Sequence, residues 1–92
     1  MTGAVARRRL VLHGRVQGVW FRDSARHEAE RRGVAGWAAN LDDGTVEVVL
    51  EGAPEAVAAV EAWCGVGPPQ AEVERVDATD EPPAGLAGFS VR

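Results

Sequence analysis

The chain has 92 residues, a hydrophobic fraction of 46% and a net charge of -4, with 14 acidic against 10 basic residues. That length suits one compact core and leaves no room for a second. The acidic balance argues against a nucleic-acid partner held by overall positive charge. The single cysteine excludes an internal disulfide or a multi-cysteine metal site, and no apolar run approaches the roughly 18 residues of a membrane span.

Residues 1–6 carry no pattern and read as a flexible tail ahead of a domain over 7–92. Arg7 to Arg9 followed by Leu10 to Leu12 is far shorter than the roughly 7 to 15 apolar residues of a secretory signal. With the lone Cys64, the expected compartment is the cytoplasm. Residues 7–13 (RRRLVLH) predict a short strand ended by Gly14. A loop with Gly14 and Gly18 leads into a segment where Phe21, Ala25 and Ala29 share one helical face, and Gly33 supplies the stop.

Residues 34–41 predict a second strand, and Asp43-Gly44 signals a hairpin turn because it favours positive φ. In the third strand, 45–51, Val46, Val48 and Leu50 alternate with Glu47, Val49 and Glu51, as for a sheet with one buried and one wetter face. Pro54 opens a second helix whose apolar face carries Val57, Val60 and Cys64. The fourth strand falls within 71–79, where the three-residue spacing of Val73 and Val76 predicts a bulge. Pro82-Pro83-Ala84-Gly85 then turns into a short last strand near Phe89 and Val91. The three tryptophans and two phenylalanines are first read as core, Trp37 packing against a helix between the small Gly36 and Ala38.

The order β-α-β-β-α-β plus a short terminal strand is that of an α+β ferredoxin-like sandwich, an antiparallel sheet with both helices on one face and the first and third strands central. This fold hosts unrelated functions, so the site must decide. The stretch from His13 to Trp20 ends at a helix start, and a glycine loop there can turn main-chain N–H groups inward beside the helix's partial positive charge of about +0.5. Arg22 can grip two oxygens of a phosphoryl group through its fork of donors. A tight strand-to-helix connection and a surface arginine paired with Asp23 are the plainer readings of the same residues. The loop lacks the Gly-Lys-Ser/Thr ending of a Walker A motif. His13 and His27 lack metal-ligand spacing, and Cys64 reads as a small buried side chain.

GRVQGVWFR at 14–22 followed by GWAANLDDGTVEV at 36–48 closely resembles the two signature stretches of the acylphosphatase family, and GPPQAEV at 67–73 and FSVR at 89–92 extend the likeness over nearly the whole chain. The resemblance implies the ferredoxin-like fold and cofactor-free, metal-free hydrolysis of acyl phosphates to a carboxylate and inorganic phosphate. It makes Arg22 and Asn40 the catalytic pair, and Arg15, Val16, Gln17, Gly18, Val19 and Trp20 the phosphate-binding loop. Trp20 stands at a position that varies in the family, and Ala25, Val34 and Ala38 replace a frequent threonine, leucine and valine. The expected partner is a small acyl phosphate met by a monomer, with no nucleic acid and no membrane. The alternative is a non-catalytic phosphate- or carboxylate-binding or regulatory module using the same loop. RNA binding on the open sheet face is disfavoured by the charge and by the absence of tyrosine.

Overall fold

The computed structural model describes residues 3–92; Met1 and Thr2, within the expected tail, lie outside the described residues. The elements are β1 (Ala6–Arg15), α1 (Phe21–Arg31), β2 (Ala35–Asn40), β3 (Val46–Gly52), α2 (Pro54–Cys64), β4 (Glu72–Asp80) and β5 (Phe89–Val91). The five strands form one sheet in the order β4-β1-β3-β2-β5, with β1 and β3 inside as expected.

Period-two alternation builds the core. Leu10 and Leu12 of β1, Val46, Val48 and Leu50 of β3 and Ala38 of β2 face the buried stripe of both helices: Phe21, Ala25 and Ala29 from α1, Val57, Val60 and Cys64 from α2. Each helix thereby removes its apolar face from water, the main source of its stability. Phe21 and Trp63 join the helices, ring centroids 5.5 Å apart. At the end of α1, Gly33 (φ 68°) lets its own N–H reach Glu30 O and that of Val34 reach Ala29 O, a Schellman closure at the expected glycine.

Four expectations need correction. Gly14 does not end β1. The strand runs on to Arg15, and a register shift between His13 and Gly14 leaves Glu74 of β4 unpaired, the bulge anticipated from Val73 and Val76. Gly14 sits there at φ 117°, where a side-chain carbon would collide with the Glu72 carbonyl oxygen.

Second, the sheet is mixed, because β5 lies parallel to β2. The chain leaves β4 at the end of the sheet where β1 and β2 begin. It crosses that end over 81–88, so β5 must run in the direction of β2. One result is functional: β1, β2 and β5 all finish at the same end, beside the start of α1.

Third, the second face of β3 is not wet throughout. Val49 is buried and Glu51 is only 4% exposed, the latter because 81–88 folds onto it. Fourth, Trp37 does not pack on a helix. Gly36 and Ala38 take the helix side, which sends Trp37 to the opposite face. There its ring lies between the Arg7 and Arg92 guanidinium groups, 5.4 and 4.1 Å from its centroid, and its Nε1 donates to Glu47.

Glu51 holds the crossing segment. Its carboxylate accepts N–H bonds of 2.8–2.9 Å from Ala84, Gly85 and Leu86, and Arg7 stands 3.4 Å away. These donors, the Ala84 N–H foremost, hold its carboxyl below the usual carboxylate range. A folded value below the unfolded one means that the contribution is present above about pH 4.3 and is lost as pH falls through the folded value. Glu51→Ala is expected to lose roughly 2–4 kcal/mol in urea unfolding at pH 7, with a smaller deficit at pH 3; an equal loss at both would contradict this account.

Candidate active site

The connection from β1 to α1 is pinned from below. Val16 and Val19 insert into the core, 1% and 2% exposed, and Gln17 Nε2 donates to the carbonyl oxygens of Leu41 and Thr45 at 2.8 and 2.9 Å. The loop is therefore tied to the β2–β3 hairpin, itself closed by Asp43, whose carboxylate accepts from the N–H and hydroxyl of Thr45. Those bonds, the hydroxyl first, lower the Asp43 pKa. With its side chains anchored downward, the loop turns its backbone outward. Among the described residues, none of the N–H groups from Val16 to Trp20 has a main-chain acceptor, and α1 starts without a side-chain cap. N–H donors left in this state at a helix N-terminus favour an anion.

Two residues give the loop its curvature. Gly18 adopts φ 73°, and Trp20, at the N-cap of α1, adopts φ 66°, the one positive φ outside glycine among the described residues. For a residue with a side chain that conformation costs about 1–2 kcal/mol. Val19 and Phe21 on either side of it are both buried and anchor the backbone there. The indole itself is 73% exposed, against its reading as core.

A cavity of about 190 Å³ opens at this end of the sheet. Of the residues singled out from the sequence, Val16, Gly18, Trp20, Arg22 and Asn40 line it, so Arg22 and Asn40 stand on one site. Arg15, Gln17 and Val19 do not: Arg15 is the last residue of β1, and the other two point away as anchors. Phe21, Asp23 and Val91 complete the wall. Val91 was beyond sequence reasoning because the parallel placement of β5 has no local signal. Arg22 is not paired with Asp23. Its Nη1 donates to the main-chain oxygen of Arg92 at 2.8 Å, while Asp23 lies 3.6 Å from Arg26. The Arg92 N–H in turn donates to Ala38 O at 2.8 Å, so β2 and the residue after β5 together hold the guanidinium. Asn40 is the exposed last residue of β2, opposite Val46.

The other titratable groups stand apart. His13 Nε2 lies 2.9 Å from Asp77 and 3.2 Å from Arg75 on the open sheet face. Cys64 is buried in the core, where desolvation pushes its thiol up to about 12, a value unsuited to a nucleophile. Among the described residues no three His, Cys, Asp or Glu side chains gather as metal ligands would.

A small α/β sandwich with a glycine loop, one guanidinium and one carboxamide on a common cavity defines a domain of the ferredoxin-like type. The acylphosphatase family model matches residues 8–91. An acylphosphatase of Thiobacillus denitrificans is 57% identical, aligned over 90% of this chain and 92% of its own, and one of Thermococcus kodakarensis is 54% identical over 92% and 93%. The crystal structure of acylphosphatase from Bacillus subtilis superimposes with a TM-score of 0.91 at 35% identity, covering 95% of this chain and 98% of that one. The chain belongs to the acylphosphatase family.

Gln17 provides a test of the anchoring. Gln17→Ala removes two hydrogen bonds, while Leu41 O keeps the Gly44 N–H and Thr45 O keeps the Leu41 N–H, so urea unfolding is expected to register a loss of roughly 1–3 kcal/mol. Weaker inhibition by phosphate should accompany it, and unchanged stability would mean that the loop does not depend on the hairpin.

Proposed function

We propose that this acylphosphatase holds the phosphoryl group of an acyl phosphate with the main-chain N–H groups of the 15–20 loop and the Arg22 guanidinium, while Asn40 orients the attacking water. The observation that carries the reading is that Arg22 and Asn40, from separate elements, line one cavity with Val16, Gly18 and Trp20, members of the stretch 16–20 whose N–H groups lack main-chain acceptors among the described residues.

The chemistry asks for little more. Water attacks phosphorus, the bond from phosphorus to the carboxyl oxygen breaks, and a carboxylate leaves with its electron pair. Its parent acid has a pKa of about 4, so no general acid is needed. The transition state is loose, with charge spread over the equatorial oxygens. Arg22 answers that charge bidentately, and fixed N–H dipoles do so without reorganising. The bond from Arg22 to the Arg92 main-chain oxygen holds one nitrogen and leaves the remaining donors of the fork for the substrate. Asn40 offers a carbonyl oxygen that accepts from water without presenting a negative charge to phosphate, as an aspartate would. It stands clear of the Gln17 ties, which use the hairpin's main-chain oxygens.

Every group in this scheme comes from one chain, so the working unit is a monomer, and light scattering on the purified protein checks it. The free buried thiol of Cys64 suits the reducing cytoplasm.

Arg22→Ala is expected to lower kcat/KM on benzoyl phosphate by roughly a hundredfold or more; near-normal turnover would refute the role. Asn40→Ala should depress kcat while leaving competitive inhibition by phosphate nearly intact, since water positioning matters in the transition state. Loss of phosphate binding with kcat preserved would reverse that assignment. Phosphate binding without any turnover by the unmodified chain would favour the non-catalytic module.

A further inference from the structure

The largest side chain at the cavity is the one the phosphoryl chemistry leaves unused. Trp20 lines the same space as Arg22 and Asn40, yet its indole is 73% exposed and carries no hydrogen bond or ring partner among the described residues. Its main chain is held at φ 66°, a conformation that glycine adopts freely and that a tryptophan adopts under strain. A hydrophobic side chain in that position neither fills the core nor caps the helix. What it does is raise a flat apolar surface at the rim of a site whose polar groups are committed to a phosphoryl group.

An acyl phosphate is asymmetric in the same way. Its phosphoryl end is anionic and belongs with the N–H groups and Arg22, while its acyl end is uncharged and must project past the cradle toward the rim. Val16, Phe21 and Val91 add apolar wall to the cavity, but Val16 and Phe21 are fully occupied in the core. Trp20 is the apolar lining residue with most of its surface still available.

We propose that Trp20 is the acyl-group platform of this enzyme, a specificity-determining residue whose indole packs against flat or apolar acyl groups and favours aromatic acyl phosphates over acetyl phosphate. The inference rests on the placement of the phosphoryl group by Arg22 and the loop. Binding on the indole is made with the intact substrate, so it is expressed chiefly in KM.

The test compares kcat/KM on benzoyl phosphate and on acetyl phosphate for the unmodified enzyme and for Trp20→Gly, Trp20→Leu and Trp20→Phe. A ring-on-ring contact corresponds to about a two- to tenfold preference. The ratio of benzoyl to acetyl kcat/KM is therefore expected to fall by that factor in Trp20→Gly, through KM for benzoyl phosphate, to fall partly in Trp20→Leu, and to be largely retained in Trp20→Phe. Gly also relaxes the backbone, an effect common to both substrates that cancels in the ratio. An unchanged ratio in Trp20→Gly and Trp20→Leu overturns the inference even if absolute rates shift, and leaves the catalytic scheme standing. Failure of the unmodified chain to hydrolyse either substrate overturns the scheme and the inference together.

Discussion

The site exists because a stretch of backbone is denied its own hydrogen bonds. Five consecutive residues, Val16 to Trp20, keep their N–H groups without main-chain acceptors among the described residues, a state that costs free energy wherever water is partly excluded. The loop tolerates it because every one of its side-chain contacts pulls the other way. Val16 and Val19 go into the core and Gln17 into the hairpin carbonyls, so the anchors fix the path of the loop while its N–H groups stay off the main-chain acceptors. An anion that takes up these donors finds them already oriented, and the ordering cost has been met by folding.

The rest of the fold brings other groups to that loop. β1 delivers the loop, β2 delivers Asn40, and β5 delivers Val91 and the Arg92 main chain that steadies Arg22. β1 and β2 run the same way because both are antiparallel to β3, and β5 joins them because the segment 81–88 crosses the opposite end of the sheet, where Glu51 fixes it through three N–H groups. A buried carboxylate at one end of the sheet thus sets the strand direction on which the other end depends. Placing the ionic fastener far from the site also keeps its negative charge from the anion the site receives.

Much of this was legible in the residues, for reasons that can be named. Period-two alternation in β3 and the four-residue spacing of Phe21, Ala25 and Ala29 are local patterns, and each gave its element and buried face. Val73 and Val76 betrayed the bulge because a missing step in alternation has few other causes. Arg22 and Asn40 were nominated by the resemblance of two signature stretches, since an asparagine before Asp42-Asp43-Gly44 is, from composition, an ordinary turn residue. What stayed hidden depended on distant chain. The direction of β5 and the burial of Glu51 follow from one crossing segment with no pattern of its own. Neither the small neighbours of Trp37 nor the bulk of Trp20 reveals which face its ring takes. Alternation against Ala38 puts the first on the open face, and a left-handed backbone between two buried neighbours puts the second at the rim.

Charge distribution was also more subtle than composition implied. Arginine clusters between Arg7 and Arg32, but most of that charge is spent internally. Arg7 pairs with Glu51 and Glu81, Arg8 with Glu61 and Asp80, Arg9 with Glu47, and Arg31 and Arg32 with Glu28. Partnered pairs at a surface contribute little field beyond a Debye length of about 8–10 Å. On the proposed reading, attraction of an anion to the cavity comes chiefly from groups within contact distance: the loop N–H dipoles, the first turn of α1 and Arg22. Short-range donors act only on an anion in contact, so they draw back little of what has already dissociated. That suits an enzyme whose product, inorganic phosphate, carries the same anionic end as its substrate and has to depart for the next turnover to begin.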